Sequence, residues 1–463
     1  MGLRLALETA LARSAGTLSR ALGRGGGTTL PGKLLWKVDP DAVDALAERL
    51  RSGVVVVSAT NGKTTTTAMA AEILGRGRAL AWNRAGANLL SGIASALVAS
   101  PGADLGMFEV DEGALPEALA RTRPRTVVLG NLFRDQLDRY GELELVAERW
   151  RAAIAALPDT TTLVVNADDP VVADLADGRE GALRFGLDDP RHARPALQHA
   201  ADSKYCLRCG APYEFRAAYV GHLGDYRCPA CGHARPALDV AATEIELRGL
   251  DAARFRLSTP YGDTTLEVGL PGLYNVYNAV AAASAALAAG ASLADVRAGL
   301  ATFNAAFGRF ERIRAGGKSV VLLLVKNPAG ANEVVRTLET GVPPVLVVAL
   351  NDEIADGRDV SWIWDVDFEP LLEHAGVVIA SGGRAAELGL RLVYGGLPRE
   401  RLEVVPDLEA ALDRGLELLE AGSELVVLPT YTAMLALRRV LAERGLVRPY
   451  WEGEGVSPRG GAA

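Results

Sequence analysis

The stretch VVVVSATNGKTTTTAMAAEIL, residues 54–74, passes from a β-branched run through Asn-Gly-Lys-Thr into a helix-like pattern. Strand, Gly-Lys-Thr, helix is the order a phosphate-binding loop needs. Backbone N–H groups at the helix N-terminus face the anion, and the helix dipole adds to their field. In that reading Thr60, Asn61, Gly62, Lys63, Thr64 and Thr65 form the nucleotide loop, with Lys63 reaching the terminal phosphates and the Thr64 hydroxyl holding Mg²⁺. The loop departs from a Walker A, which has glycine five residues before Gly62; Val57 stands there. The competing reading is a threonine-rich helix start with an incidental lysine.

Outward from this loop, short apolar runs alternate with longer Ala/Leu/Glu/Arg-rich stretches. Val54–Val57, Thr126–Leu129, Leu163–Val165, Val320–Val325, Val345–Leu350, Val377–Ala380 and Glu424–Leu428 read as buried strands. Residues 86–99, 142–156 and 407–421 read as helices between them. This alternation predicts an α/β fold with a largely parallel sheet. At 463 residues the chain is too long for one core. We expect an N-terminal helix and linker (1–48), a central ATP-binding domain (49–314), a second α/β domain (315–455) and a disordered tail (456–463). Arg314-Ala-Gly-Gly317 is the expected hinge.

A net charge of −8 argues against a general nucleic-acid binder. No apolar run reaches membrane-spanning length, and the N-terminus lacks the compact apolar core of a secretion signal, so a cytoplasmic address is expected. Leu5, Leu11, Leu18 and Leu22 are interspersed with arginines, which suits an amphipathic helix packed on the body or resting on a membrane surface.

All four cysteines fall in one insert, residues 203–235, as Cys206-Leu-Arg-Cys209-Gly and Cys228-Pro-Ala-Cys231-Gly. Two residues between thiols let both sulfurs turn onto one ion, and the following glycine permits a left-handed turn. Four such thiolates suit a closed, structural Zn²⁺ site. Paired redox disulfides and an iron–sulfur site are the alternatives. His222 and His233 are expected at the surface rather than among the ligands. The insert's Tyr205, Tyr213, Phe215, Tyr219 and Tyr226 serve either binding or the module's own small core.

The loop, Ala59-Thr-Asn-Gly-Lys-Thr-Thr65, resembles the Gly-Thr-Asn-Gly-Lys-Thr-Thr of Mur ligases. Phe108-Glu-Val-Asp-Glu112, Asn131-Leu-Phe-Arg-Asp-Gln-Leu-Asp-Arg-Tyr140, Asn166-Ala-Asp-Asp-Pro170, Pro271-Gly-Leu-Tyr-Asn-Val-Tyr-Asn278 and Phe307-Gly-Arg-Phe-Glu311 follow in that family's order. The resemblance spans about residues 50 to 440. It implies ATP-driven carboxylate activation through an acyl phosphate. Glu109 would hold Mg²⁺ with Thr64, Arg309 would meet phosphate, and Asn275 and Asn278 would lie on the nucleotide side. Two positions depart from the family: Gln136 replaces a histidine metal ligand, and Ala147-Glu-Arg-Trp-Arg151 offers no lysine for carbamylation. A second metal site is therefore in question.

An ordinary Mur ligase carries a uridine-nucleotide domain before the loop and no cysteine insert. Here only a helix and linker precede the loop. These features are similar to the MurT family, synthetase subunits of lipid II isoglutaminyl synthase. That resemblance implies amidation of the α-carboxylate of D-isoglutamate in the lipid II stem peptide, with ammonia from a GatD-type glutaminase partner in a heterodimer. Asp356-Gly-Arg-Asp-Val-Ser-Trp-Ile-Trp-Asp365 looks like that family's C-terminal signature. By the same resemblance one aspartate would complete the partner's Cys–His pair: Asp359 first, with Asp356 and Asp365 in reserve. Lys326-Asn-Pro-Ala-Gly330 resembles the Mur His-Asn-Pro-Ala-Gly. The chain has no Gly-x-Cys-x-Gly elbow of its own. The rivals are a stand-alone Mur or folylpolyglutamate-type ligase that adds an amino acid, and a non-catalytic ATP-binding scaffold.

Overall fold

The structure is a computed structural model and describes residues 3–21, 29–84, 86–135, 143–199, 201–303, 310–339 and 341–448. The tail expected at 456–463 lies outside the described residues. The strands are β1 Val54–Ser58, β2 Leu80–Trp82, β3 Leu105–Glu109, β4 Thr126–Leu129, β5 Thr162–Asn166, β6 Leu183–Leu187, β7 Glu214–Val220, β8 Leu223–Arg227, β9 Val240–Arg248, β10 Ala252–Thr259, β11 Gly262–Val268, β12 Phe310–Ala315, β13 Lys318–Leu323, β14 Val345–Ala349, β15 Val377–Ser381, β16 Leu402–Val404 and β17 Glu424–Pro429.

The first sheet has the order β11-β10-β9-β6-β5-β4-β1-β3-β2. From β2 to β9 its pairings are parallel, and β9, β10 and β11 close it as an antiparallel meander. Val55 and Val57 of β1 face one core, with helices Lys63–Leu74 and Leu273–Ala288. Val54 and Val56 face the other, with helices Leu90–Ala99, Leu115–Thr122 and Leu143–Ala155. A strand covered on both faces must be apolar at every position, which is why β1 reads as a continuous valine run.

The second sheet has the order β12-β13-β17-β14-β15-β16 and is parallel apart from β12. Its residues alternate between two cores in the same way: Val321 and Leu323 face one, Val320 and Leu322 the other.

Two expectations are corrected here. Arg314-Ala-Gly-Gly317 is not a hinge. Ala315 pairs with Lys318 across a two-residue turn, and Gly316 and Gly317 both adopt positive φ, 57° and 81°. That is the hairpin turn matching the twist of adjacent strands, so the second sheet begins at Phe310. The helix expected from residue 86 starts at Leu90.

Candidate functional site

Strands β3, β1 and β4 are neighbours, so their C-terminal ends lie side by side, at the end of the sheet where open parallel sheets hold ligands. Each end delivers part of the site. After β1 the chain turns at Gly62 (φ 85°) into the helix Lys63–Leu74. An ideal Cβ on Gly62 would stand 1.9 Å from Asn278 Oδ1. Glycine is thus required twice, for the left-handed backbone and for the close approach.

At the end of β3, Glu109 Oε1 accepts a 3.0 Å bond from Thr64 Oγ1. Asn83 fixes the Glu109 backbone from both sides, donating to its carbonyl (2.7 Å) and accepting from its N–H (2.9 Å). After β4, Asn131 brackets the loop: its Oδ1 accepts from Asn61 N (2.9 Å) and its Nδ2 donates to Asn61 O (3.0 Å). Phe133 N donates to Thr60 Oγ1 at 3.1 Å. Thr65 is buried in the first helical turn.

Lys63 is buried, and its Nζ donates to Glu112 Oε2 (2.7 Å), Ala59 O (2.5 Å) and Thr60 O (3.4 Å). Burial alone would lower the Lys63 pKa, but Glu112, with Asp111 and Glu109 nearby, outweighs it and holds the ammonium above its usual range. Burial likewise pushes Glu112 up, and Lys63 and Lys326 more than reverse it. The motif Phe108-Glu-Val-Asp-Glu112 assigns Glu112 no role by itself. Its spacing, three residues after Glu109 at a strand end, was the available signal.

The second domain reaches the same loop. Lys326 Nζ donates to Asp135 Oδ2 (2.5 Å) and Thr60 O (3.1 Å), and the Asn327 and Asn61 amides exchange bonds of 2.9 and 3.3 Å. Asn278 accepts from Thr66 Oγ1 (3.3 Å) and donates to Asn275 (3.0 Å), which donates onward to Pro271 O (2.7 Å). Asn278 is therefore beside the loop and Asn275 one step behind it. Gln136 and Arg309 lie outside the described residues. Where a carbamylated lysine would be expected, buried Trp150 donates to Glu112 O at 2.9 Å, while Arg151 turns away to Asp174.

The structure does not bring Asp359 to this loop. It is exposed on the second domain and accepts from Ser361 N at 2.8 Å. Asp356 is buried instead and binds Thr432 N (2.8 Å) and Oγ1 (2.5 Å) at the start of the helix Tyr431–Glu443. Asp365 lies 3.8 Å from Arg134.

The ligating atoms of Cys206, Cys209, Cys228 and Cys231 all lie within 4.8 Å of one another. Gly210 and Gly232 have φ of 74° and 77°, the turns that the spacing required. Sulfurs pair at 3.5 Å (Cys206–Cys231) and 3.4 Å (Cys209–Cys228). Burial opposes ionisation of Cys206, but backbone N–H donors at Arg208 and Cys209 and the Cys231 thiol draw it down to about 5. The backbone at Ala211 favours the Cys209 thiolate, and the neighbouring sulfurs more than reverse it, pushing Cys209 up to about 12. The cluster thus holds negative charge that a cation would neutralise, and the donor set fits Zn²⁺. Tyr213, Phe215 and Tyr226 pack with Cys206 and Cys228 as the module's own core, whereas Tyr219 joins the main core.

His222 contradicts its surface expectation. It is fully buried at the β7–β8 turn, 4.5 Å from the Phe133 ring, with Nε2 3.4 Å from Asp169 Oδ2. Asp169 also accepts from Leu132 N at 2.8 Å. Beside it, buried Asp168 accepts from Tyr277 Oη (2.6 Å), Leu187 N (2.8 Å) and Arg235 Nη1 (2.8 Å). The Asn-Ala-Asp-Asp-Pro landmark therefore joins the cysteine module to the loop 131–133 that holds Thr60 and Asn61.

The Mur ligase middle-domain family matches residues 57–222, and the MurT ligase C-terminal family matches residues 324–434. A Streptococcus pneumoniae protein named lipid II isoglutaminyl synthase (glutamine-hydrolyzing) subunit MurT is 34% identical over 457 residues, covering 97% of this chain and 99% of its own. A Staphylococcus aureus protein of the same name is 35% identical over 391 residues, 82% of this chain and 86% of its own. Among solved structures, a pseudomurein peptide ligase type C from Methanothermus fervidus superposes with TM-score 0.69 at 22% identity, over 87% of this chain and 80% of that one. The MurF ligase of Thermotoga maritima, solved in complex with ADP, superposes with TM-score 0.61 at 16% identity, over 87% and 83%.

Proposed function

Because the chain belongs to the MurT family of lipid II isoglutaminyl synthase subunits, we propose that it amidates the α-carboxylate of D-isoglutamate in the lipid II stem peptide to D-isoglutamine. ATP first phosphorylates that carboxylate. Ammonia, delivered by a GatD-type glutaminase partner in a heterodimer, then displaces phosphate from the acyl phosphate. The observation that carries this reading is the meeting of Lys63, Thr64 and Glu109 at one glycine-turned helix N-terminus.

Phosphoryl transfer needs positioning and charge neutralisation more than covalent help. The N–H groups after Gly62 receive phosphate oxygens, and Lys63 exchanges Glu112 for them as nucleotide enters. Thr64 and Glu109 would hold Mg²⁺, which when bound neutralises charge between the phosphates. Asn278, with Asn275 behind it, borders the nucleotide, and Arg309 remains the proposed phosphate contact from outside the described residues. Lys326 brings the second domain against Thr60 and shields the site. Cys206, Cys209, Cys228 and Cys231 would hold Zn²⁺ in a structural role.

Asp359 serves the partner's active site. It lies in an exposed segment flanked by Ile354 and Trp364, 78% and 49% exposed, a surface suited to a protein partner. With Asp356 committed to Thr432, Asp365 is the remaining reserve. The reaction places the chain in the cytoplasm, at the inner membrane face where a lipid-linked substrate lies. No helix among the described residues is long and apolar enough to cross a membrane.

A two-donor assay tests this reading. The chain alone should form amide from ammonium and ATP but not from glutamine, and adding the glutaminase should confer glutamine use. Lys63→Ala should stop both reactions. Asp359→Ala should spare the ammonium reaction and depress the glutamine one. Activity with an amino acid and none with ammonium would establish the stand-alone ligase instead.

A further inference from the structure

Two N-terminal helices, Leu3–Ala21 and Leu30–Val38, form a layer outside the nucleotide domain. They run antiparallel: a Cβ on Gly16 would touch Pro31 at 2.6 Å, and at the other end Arg4 lies 3.8 Å from Asp39. The inner face is closely fitted. Gly32 N donates to Ser95 Oγ at 2.8 Å, a Cβ on Gly32 would meet Ser91 O at 1.8 Å, and Leu35 is buried.

The outer face is the opposite of what a solvent-facing helix pair needs. Thr9, Ala12 and Gly16 turn inward, which leaves Leu7 and Leu11 on the outward side of the first helix, 58% and 67% exposed. On the second helix, where Gly32 and Leu35 turn inward, Leu30, Leu34 and Val38 are 42%, 38% and 56% exposed. Exposed Lys33 and Lys37 flank these residues. The two helices carry Arg4, Arg13, Arg20, Lys33 and Lys37 against one acid, Glu8, within a chain of net charge −8. Arg4 spans to Glu8 at 2.9 Å, and Arg13 is bound to Val98 O. That leaves the two lysines as the outward cations of the second helix.

We propose that this face is a docking surface for an anionic lipid bilayer. The leucines and Val38 would enter the headgroup boundary and Lys33 and Lys37 would meet lipid phosphates, an arrangement that fits an interfacial amphipathic element. The proposal rests on the reading that the substrate is lipid-linked, and supplies what that reading lacks: a surface that brings a freely diffusing chain to the bilayer. Charge selects the occupant. A second copy of this face would oppose lysine to lysine, whereas phosphatidylglycerol complements it.

The test is co-sedimentation of the full-length chain with vesicles of phosphatidylcholine alone or mixed equally with phosphatidylglycerol. The chain should pellet with the mixed vesicles only, and less so as salt rises. Leu7→Glu/Leu11→Glu should lower the partition coefficient by about tenfold or more, and Lys33→Gln/Lys37→Gln by about twenty-fivefold, at roughly fivefold per cation. All four side chains are exposed, so circular dichroism and melting should be unchanged. No pelleting, or equal pelleting of parent and variants, would overturn the proposal. So would a concentration-dependent dimer in lipid-free sedimentation that Leu7→Glu/Leu11→Glu dissolves, which would give the face to a second copy. Amidation of a lipid-free muramyl stem peptide separates the two readings. If the parent binds vesicles but fails that assay, the function falls and the surface stands; if it amidates the soluble peptide but ignores vesicles, the reverse holds.

Discussion

Replacing Glu112 by Gln keeps the shape of the side chain and removes one charge of a buried pair. Lys63 and Glu112 meet at 2.7 Å, with each side chain 8% exposed. Deleting one partner of such a pair costs about 3–5 kcal/mol, because the other charge stays buried. Lys63 keeps its bonds to Ala59 O and Thr60 O, so the lower end applies, ~3 kcal/mol, or about 6–12 °C in Tm. The pH dependence has a definite sign. Glu112 is held below its ordinary 4.5, so its contribution is present above pH 4.5 and is lost as pH falls through the folded value. Lys63 is held above its ordinary 10.5, so its contribution is present below pH 10.5 and is lost as pH rises through the folded value. The gap between parent and Glu112→Gln should therefore be flat between about pH 5 and 10 and close in acid. Urea unfolding followed by tryptophan fluorescence measures it, Trp150 being bonded to Glu112 O. Adding Lys63→Met should restore part of the loss, since no charge is then left unpaired. A Glu112→Gln variant within about 0.5 kcal/mol of the parent, or a double variant equal to the sum of the singles, would refute the reasoning.

Three other outcomes are expected. Glu333 is fully buried with both carboxylate oxygens unpartnered, and burial pushes its pKa up to about 6. Its raised value means stability is lost as pH rises from 4.5 through about 6. Glu333→Gln should thus gain ~2 kcal/mol above pH 7 and nothing at pH 4; a variant no more stable at pH 8 contradicts this. His222→Ala should raise the KM for ATP about tenfold, the cost of losing the bond that its Nδ1 accepts from Asp202 N at 3.3 Å, while kcat and metal content change little. A fall in kcat at constant KM would detach the β7–β8 turn from the nucleotide loop. Elemental analysis should find one zinc per chain, lost together with the module's fold in Cys209→Ser/Cys231→Ser; a stable metal-free parent contradicts the site.

What could be read from the sequence follows from how each segment is buried. β1, β14 and β17 are covered on both faces, so their apolar runs stand out. β9–β11 were not anticipated. One face of this meander is solvated, and its charged residues alternate with apolar ones and pair across strands, as Arg256 does with Glu244 and Arg248 with Glu267. The helix Leu273–Ala288 is buried nearly all round, so its periodicity is faint and only its asparagines marked it. The loop residues Lys63 and Thr64 were legible because a β-branched run, Gly-Lys-Thr and a helix pattern mark a strand-to-helix turn, which the structure has at Gly62. Glu112 and Asn83 were not, since their roles come from separate strand ends meeting at one point; Lys326 was marked by its resemblance, but its contacts with Thr60 and Asp135 come from the second domain meeting the first. Four cysteines leave His222 no ligand role, and the surface expected for it instead is wrong because its burial depends on Phe133, about ninety residues earlier.

The account rests on a nucleoside triphosphate bound by the N–H groups after Gly62, where Thr64 and Glu109 would hold its Mg²⁺. Isothermal titration of ATP into the full-length chain, with and without Mg²⁺, tests it most directly. One site per chain that requires Mg²⁺, and that Glu109→Gln weakens at least tenfold for the metal complex, agrees with the account. No Mg²⁺-dependent uptake, or uptake indifferent to Glu109, contradicts it.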